Sequence, residues 1–122
     1  MQKKILLVDD EQDLVKTLKK RLESNGYEVF ISNDGIDALA KAKKENPDLI
    51  ILDLMLPKMD GYKVCGLLKS DAWYKNIPII LFTARAQESD KELGKEVGAN
   101  AYITKPFEPE VLLSKIKELI GE

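Results

Sequence analysis

The chain has 122 residues, enough for one domain with a real core, and its 44% hydrophobic and 33% charged residues are the balance of a globular protein rather than a disordered one. A net charge of −2 leaves no general basic field for nucleic acid, and no apolar run approaches the roughly 20 residues of a membrane span. Histidine is absent, which removes His-based zinc sites and His general bases, and one cysteine, Cys65, cannot form an internal disulfide, which favours a cytoplasmic home.

The start, MQKKILLVDD, carries basic residues but too short an apolar run for a signal peptide. Within it Lys4–Val8 (KILLV) reads as a strand that ends at Asp9, Asp10 and Glu11. Leu14, Leu18 and Leu22 then recur at helical spacing, and Asn25-Gly26 supplies a stop. Tyr27–Ile31 (YEVFI) is the second predicted strand. Ile36, Leu39 and Ala40 give the next helical face, ended before Asn46-Pro47, with Lys41, Lys43 and Lys44 on a solvated side. Leu49–Leu52 (LIIL) is the third strand, and Asp53 closes the most apolar run of the chain. Val64, Leu67 and Leu68 mark a third helix, in which Cys65 reads as a small buried hydrophobe. Trp73 and Tyr74 are expected to cover the core. Pro78–Phe82 (PIILF) is the fourth strand and leads to Thr83. A weak helix follows at Leu93 and Val97, with Gly94 inside it and Gly98 after it. Ala101–Thr104 (AYIT) is the fifth strand and runs into Lys105-Pro106, and Val111, Leu112, Ile116, Leu119 and Ile120 mark a strong last helix.

Strand and helix alternate throughout, which predicts an α/β protein with a parallel sheet and right-handed crossovers. The first, third and fourth strands are continuous apolar runs, suited to burial on both faces. In such open sheets ligands bind beyond the carboxyl ends of the strands. Four of the five predicted strands deliver a polar group there: Asp9 with Asp10 and Glu11, Asp53, Thr83, and Lys105. Carboxylates about 5 Å apart repel by roughly 3 kcal/mol per pair at an effective dielectric near 20, so either one takes up a proton or a cation sits among them. Oxygen donors without His or Cys point to Mg²⁺ or Mn²⁺. A carboxylate fixed at a strand end beside a metal can attack phosphorus and give an acyl phosphate. Lys105 would neutralise charge on the phosphoryl oxygens, and Thr83 would offer a hydroxyl to one of them.

At these residues the chain resembles a response-regulator receiver domain of two-component signalling. The matching pieces are VDDE at Val8–Glu11, LDLMLPKMDG at Leu52–Gly61, FTA at Phe82–Ala84 and ITKPF at Ile103–Phe107, in order along nearly the whole chain. The resemblance implies a single receiver domain over 1–122, with a three-layer, doubly wound, five-stranded parallel sheet of strand order 2-1-3-4-5, the flavodoxin-like receiver fold. It implies Asp53 as phosphoacceptor. It also implies Mg²⁺, with Mn²⁺ as a substitute, held by Asp9 or Asp10, Asp53 and the backbone carbonyl of Met55. Lys105 would contact the phosphoryl group through a cis bond to Pro106, Thr83 would be the switch hydroxyl and Tyr102 the switch aromatic. Met55 and Arg85 stand where members of the family vary and tune phosphate lifetime. The implied activity is that of a switch that catalyses its own aspartyl phosphorylation and dephosphorylation rather than of a metabolic enzyme. The implied partners are a histidine kinase or phosphotransfer protein and either a downstream protein or an output domain, with homodimerisation on phosphorylation and no direct contact with nucleic acid or membrane.

Other readings of the same residues exist. Asp9-Asp10-Glu11 also suits a helix start, Thr83 a cap, and Tyr102 ordinary sheet packing. A phosphatase of the haloacid dehalogenase type needs a second acid two residues after the nucleophile, where this chain has Met55. A flavodoxin-like mononucleotide binder needs a first loop that attracts phosphate, and Asp9-Asp10-Glu11-Gln12-Asp13 repels it unless a metal intervenes. A receiver kept only for docking would lack an acid, threonine or lysine of the set, and none is missing.

Overall fold

A computed structural model describes residues 2–122, so the first residue of the expected span lies outside the described residues. Five strands and five helices alternate: β1 (Lys4–Val8), α1 (Gln12–Ser24), β2 (Glu28–Ser32), α2 (Gly35–Glu45), β3 (Leu49–Leu52), α3 (Gly61–Lys69), β4 (Ile79–Thr83), α4 (Glu88–Glu96), β5 (Ala101–Thr104) and α5 (Pro109–Ile120). The sheet is five-stranded with order β2-β1-β3-β4-β5, and every neighbouring pair is parallel. The expected fold class and strand order are therefore present.

Successive residues of the central strands point to opposite faces, and each face buries its own core. Leu6, Val8, Ile50, Leu52, Ile79 and Leu81 meet Ala38 and Ala42 of α2 and Val64, Cys65 and Leu68 of α3. Ile5, Leu7, Ile51, Ile80 and Phe82 meet Val15, Leu18 and Leu22 of α1 and Leu112 and Ile116 of α5. Covering on both faces is what the unbroken apolar runs required, and β3 and β4 are buried at every position. Cys65 is buried as expected, and burial pushes its thiol up to about 11.

Local signals set the helix starts. Asp34 accepts the Asp37 N–H at 2.7 Å to cap α2, and Asp60 accepts the Lys63 N–H at 3.0 Å to cap α3. Pro109 opens α5, where its missing N–H costs nothing, and Gly121 ends it at φ 89° in the left-handed region.

Several expectations need correction. Strands β2 and β4 each sit one residue later than the apolar runs suggested, since Tyr27 and Pro78 precede the ladder while Ser32 and Thr83 join it. Tyr27 is nevertheless buried, and its hydroxyl donates to Glu122 Oε1 at 2.8 Å. On α2 the buried face is Gly35, Ala38 and Ala42, while Ile36 is 54% exposed. Leu67 and Val111 likewise face outward beside buried Leu68 and Leu112. Trp73 does not cover the core: it is 87% exposed in the turn after α3, and only Tyr74 packs against the sheet's covering layer.

Candidate functional site

The parallel register brings the ends of the strands level. Val8 pairs with Ser32 and with Leu52, and Thr83 pairs with Thr104. The backbone ladder then runs one bond further on each side. Asp9 N–H donates to the Ser32 carbonyl at 3.1 Å, Asp53 N–H to the Val8 carbonyl at 2.9 Å, and Lys105 N–H to the Thr83 carbonyl at 2.8 Å. These three residues are thus held by the sheet itself, at its carboxyl edge.

Asp9, Asp10 and Asp53 each offer a carboxylate oxygen, and those atoms lie within 4.8 Å of one another. Asp9 and Asp53 are buried and Asp10 is exposed, so the cluster opens on one side. Asp9 uses both oxygens: Oδ1 accepts the Glu11 N–H at 2.9 Å and Oδ2 accepts Lys105 Nζ at 2.7 Å. Asp53 accepts the Met55 N–H on Oδ1 at 3.3 Å and Lys105 Nζ on Oδ2 at 3.3 Å. Lys105 also reaches Glu11 Oε1 at 3.1 Å, and its ammonium stands 5.0 Å from the centre of the Phe82 ring.

The charges follow from this packing. Burial pushes the Asp9 carboxyl above its ordinary value, with the Asp53 charge in the same direction and the Lys105 and Glu11 hydrogen bonds against it. Burial works against the charge on Lys105, but its hydrogen bond to Asp9 and the charges of Asp53 and Asp9 outweigh it and hold the lysine above its ordinary range. One ammonium therefore serves three carboxylates, and the cluster keeps a surplus of negative charge. That surplus, on hard oxygen donors at an open edge, fits a metal ion.

The expected residues divide into two groups. Asp9, Asp10, Asp53 and Lys105 come together in one cluster. The Lys105–Pro106 bond is cis, and Phe107 beyond it packs edge-on against Phe82 with ring centres 4.7 Å apart. Met55 follows in the next loop, 62% exposed, with its N–H on Asp53. Thr83 and Tyr102 form a second group, bonded to Arg85 instead of to the acids. The buried Thr83 hydroxyl accepts the Arg85 N–H at 3.4 Å, and the Tyr102 hydroxyl donates to the Arg85 carbonyl at 2.7 Å.

Three further residues shape the site. Glu11 shares Lys105 with the buried acids although it stands on the surface. Gly61 lets the start of α3 press on the loop after β3: a Cβ there would lie 2.3 Å from the Asp53 carbonyl oxygen. Gly35 does the same on the neighbouring loop, where a Cβ would lie 2.0 Å from the Met59 carbonyl oxygen. The motif ending in Asp60-Gly61 hinted at the first of these; nothing hinted at the second.

Residues 5–117 match the family model described as the response regulator receiver domain. The chain is 48% identical over 120 residues to the alkaline phosphatase synthesis transcriptional regulatory protein PhoP of Bacillus subtilis, which covers 98% of this chain and 49% of that protein. It is 38% identical to protein PilG of Pseudomonas aeruginosa over 93% of this chain and 84% of that one. The chain spans about half the length of PhoP and of most curated relatives that it matches. Among solved structures, chemotaxis protein CheY4 of Vibrio cholerae superposes with a TM-score of 0.91 at 36% identity, covering 98% of this chain and 99% of that one. The receiver domain of a sensor histidine kinase from Pseudomonas aeruginosa PAO1, with a magnesium ion coordinated in its active site cleft, gives a TM-score of 0.91 at 33% identity and covers both chains fully.

Proposed function

The chain belongs to the response regulator receiver family, a signalling domain of phosphorelays, and from that premise we propose that Asp53 is the residue that takes up the phosphoryl group. The observation that carries this reading is the convergence of Asp9, Asp10 and Asp53 within 4.8 Å, with Lys105 between them, at the carboxyl edge of a parallel sheet.

An Asp53 carboxylate oxygen attacks phosphorus on a phosphohistidine of a kinase or phosphotransfer protein. The new O–P bond forms as the P–N bond breaks, and the imidazole leaves with the electron pair of that bond. Water later returns the carboxylate and releases inorganic phosphate. Asp9 and Asp10, with Asp53 and the Met55 carbonyl, are the residues that would hold Mg²⁺, or Mn²⁺ in its place. When bound, that ion offsets the negative charge gathered on the phosphoryl oxygens. Lys105 does the same from the other side, held in place by Asp9. Thr83 exchanges its bond with the Arg85 N–H for one to a phosphoryl oxygen, and Tyr102 follows. The 122 residues act as one receiver unit in the cytoplasm. The output passes to a downstream protein or an attached output domain, with homodimerisation on phosphorylation as a further step.

The test is incubation with acetyl phosphate and Mg²⁺ followed by intact mass. Gain of one phosphoryl group by the native protein and none by Asp53→Asn is the expected result. An undiminished gain in that variant would move the acceptor elsewhere.

A further inference from the structure

Helix α4 is held unlike the other four. Its buried residues are Asp90 and Gly94, an acid and a glycine, where every other helix buries aliphatic side chains or alanines. Leu93, its one large apolar residue, is 39% exposed. Like α1 and α5, it has no side-chain capping bond at its leading residue, here Gln87, among the described residues. A helix with so little apolar burial owes its placement to polar contacts.

Those contacts converge on two residues. Asp90 takes the Tyr62 hydroxyl on its backbone carbonyl at 2.8 Å, and its carboxylate meets Arg85 Nε at 3.2 Å. Arg85 in turn receives Tyr102 on its carbonyl and gives its N–H to Thr83. The Tyr102 ring packs on Gly94, where a Cβ would come within 3.1 Å of it. Tyr62 stands directly after Gly61, where a Cβ would lie 2.3 Å from the Asp53 carbonyl oxygen. A continuous set of contacts therefore leads from the acceptor loop, through α3 and α4, back to the Thr83 hydroxyl.

We propose that Tyr62 is a positioning residue for phosphoryl uptake: its hydroxyl on the Asp90 carbonyl fastens α4 to α3, and so keeps Arg85 and Thr83 in the resting arrangement that uptake must undo. The inference rests on Asp53 being the acceptor. The Tyr62 bond is one of few holding this helix, so its loss shifts the resting population by the worth of a single hydrogen bond, about three- to tenfold.

The experiment compares native protein, Tyr62→Phe, which keeps the ring and removes only the hydroxyl, and Asp90→Asn, which removes the carboxylate charge facing Arg85. Without any phosphodonor, amide hydrogen exchange is expected to quicken about three- to tenfold across 88–96 in Tyr62→Phe, with β1 and β3 unchanged. With acetyl phosphate and Mg²⁺, the rate of phosphoryl gain rises by a similar factor, and Asp90→Asn moves both quantities in the same direction. Exchange and rate at native values in Tyr62→Phe would overturn the proposal. So would faster exchange through the whole molecule, or faster exchange in α4 with an unchanged rate of uptake. If the native protein takes no phosphoryl group, the reading of Asp53 fails, while exchange across 88–96 still decides whether Tyr62 holds the helix.

Discussion

The Lys105 ammonium lies 3.3 Å from Asp53 Oδ2 and is shared with Asp9 at 2.7 Å. The acid at the end of β3 is thus charge-compensated in the resting protein, by the group proposed above to face an incoming phosphoryl oxygen. Replacing Lys105 by methionine keeps the length of the side chain and removes the charge. The rate of phosphoryl gain from acetyl phosphate is expected to fall about 10²- to 10³-fold, the scale of one lost electrostatic partner. Magnesium affinity, measured by calorimetry, is expected to hold or rise, because the ammonium no longer competes for the carboxylates. Uptake at the native rate would reduce Lys105 to a structural counter-ion.

Magnesium should stabilise the fold. A ligand at about one hundred times its Kd adds about 2.7 kcal/mol, which for a domain of this size raises Tm by about 10 °C. The rise should vanish with a chelator and fall sharply in Asp10→Asn, since Asp10 is the exposed member of the cluster. An equal rise in that variant, or with sodium at matched ionic strength, would argue against a specific site.

Gly61→Ala tests the close approach of α3 to the loop after β3. The new Cβ would meet backbone at 2.3 Å, so either Asp53 or the helix start must move. A loss of about 1–3 kcal/mol in urea unfolding is expected, together with slower phosphoryl uptake. Gly26→Ala is the control: its φ of 90° strains alanine, but nothing among the described residues lies within 4 Å, so stability falls without any effect on uptake.

Tyr27 gives a pH dependence. Burial, reinforced by the hydrogen bond to Glu122 and its charge, pushes the phenol from its ordinary 10.0 up to about 12. A folded-state pKa above the unfolded one contributes stability that is complete below pH 10 and is lost as the pH climbs through about 12. Tyr27→Phe removes that titration, so its urea midpoint should fall less steeply than the native one between those two values. Parallel curves would show that Tyr27 ionises alike in both states.

The sheet was legible because β1, β3 and β4 are apolar without interruption and each ends at a polar residue. The acids and Lys105 were legible for the same reason, since parallel order places strand ends together whatever lies between. Helix faces were less so. Ile36, Leu67 and Val111 stand one position from the buried stripe, and a 3.6-residue period leaves the edges of a stripe open to either assignment. The contacts of Tyr62, Asp90 and Arg85 left no trace in spacing, because two of them use backbone carbonyls, which every residue carries.

The outward placement of Trp73 shapes how this protein can be observed. The sole indole is already surrounded by water in the native state. Its emission should peak near the wavelength of the free amino acid, and denaturant should scarcely shift it. Unfolding curves are better drawn from far-ultraviolet dichroism.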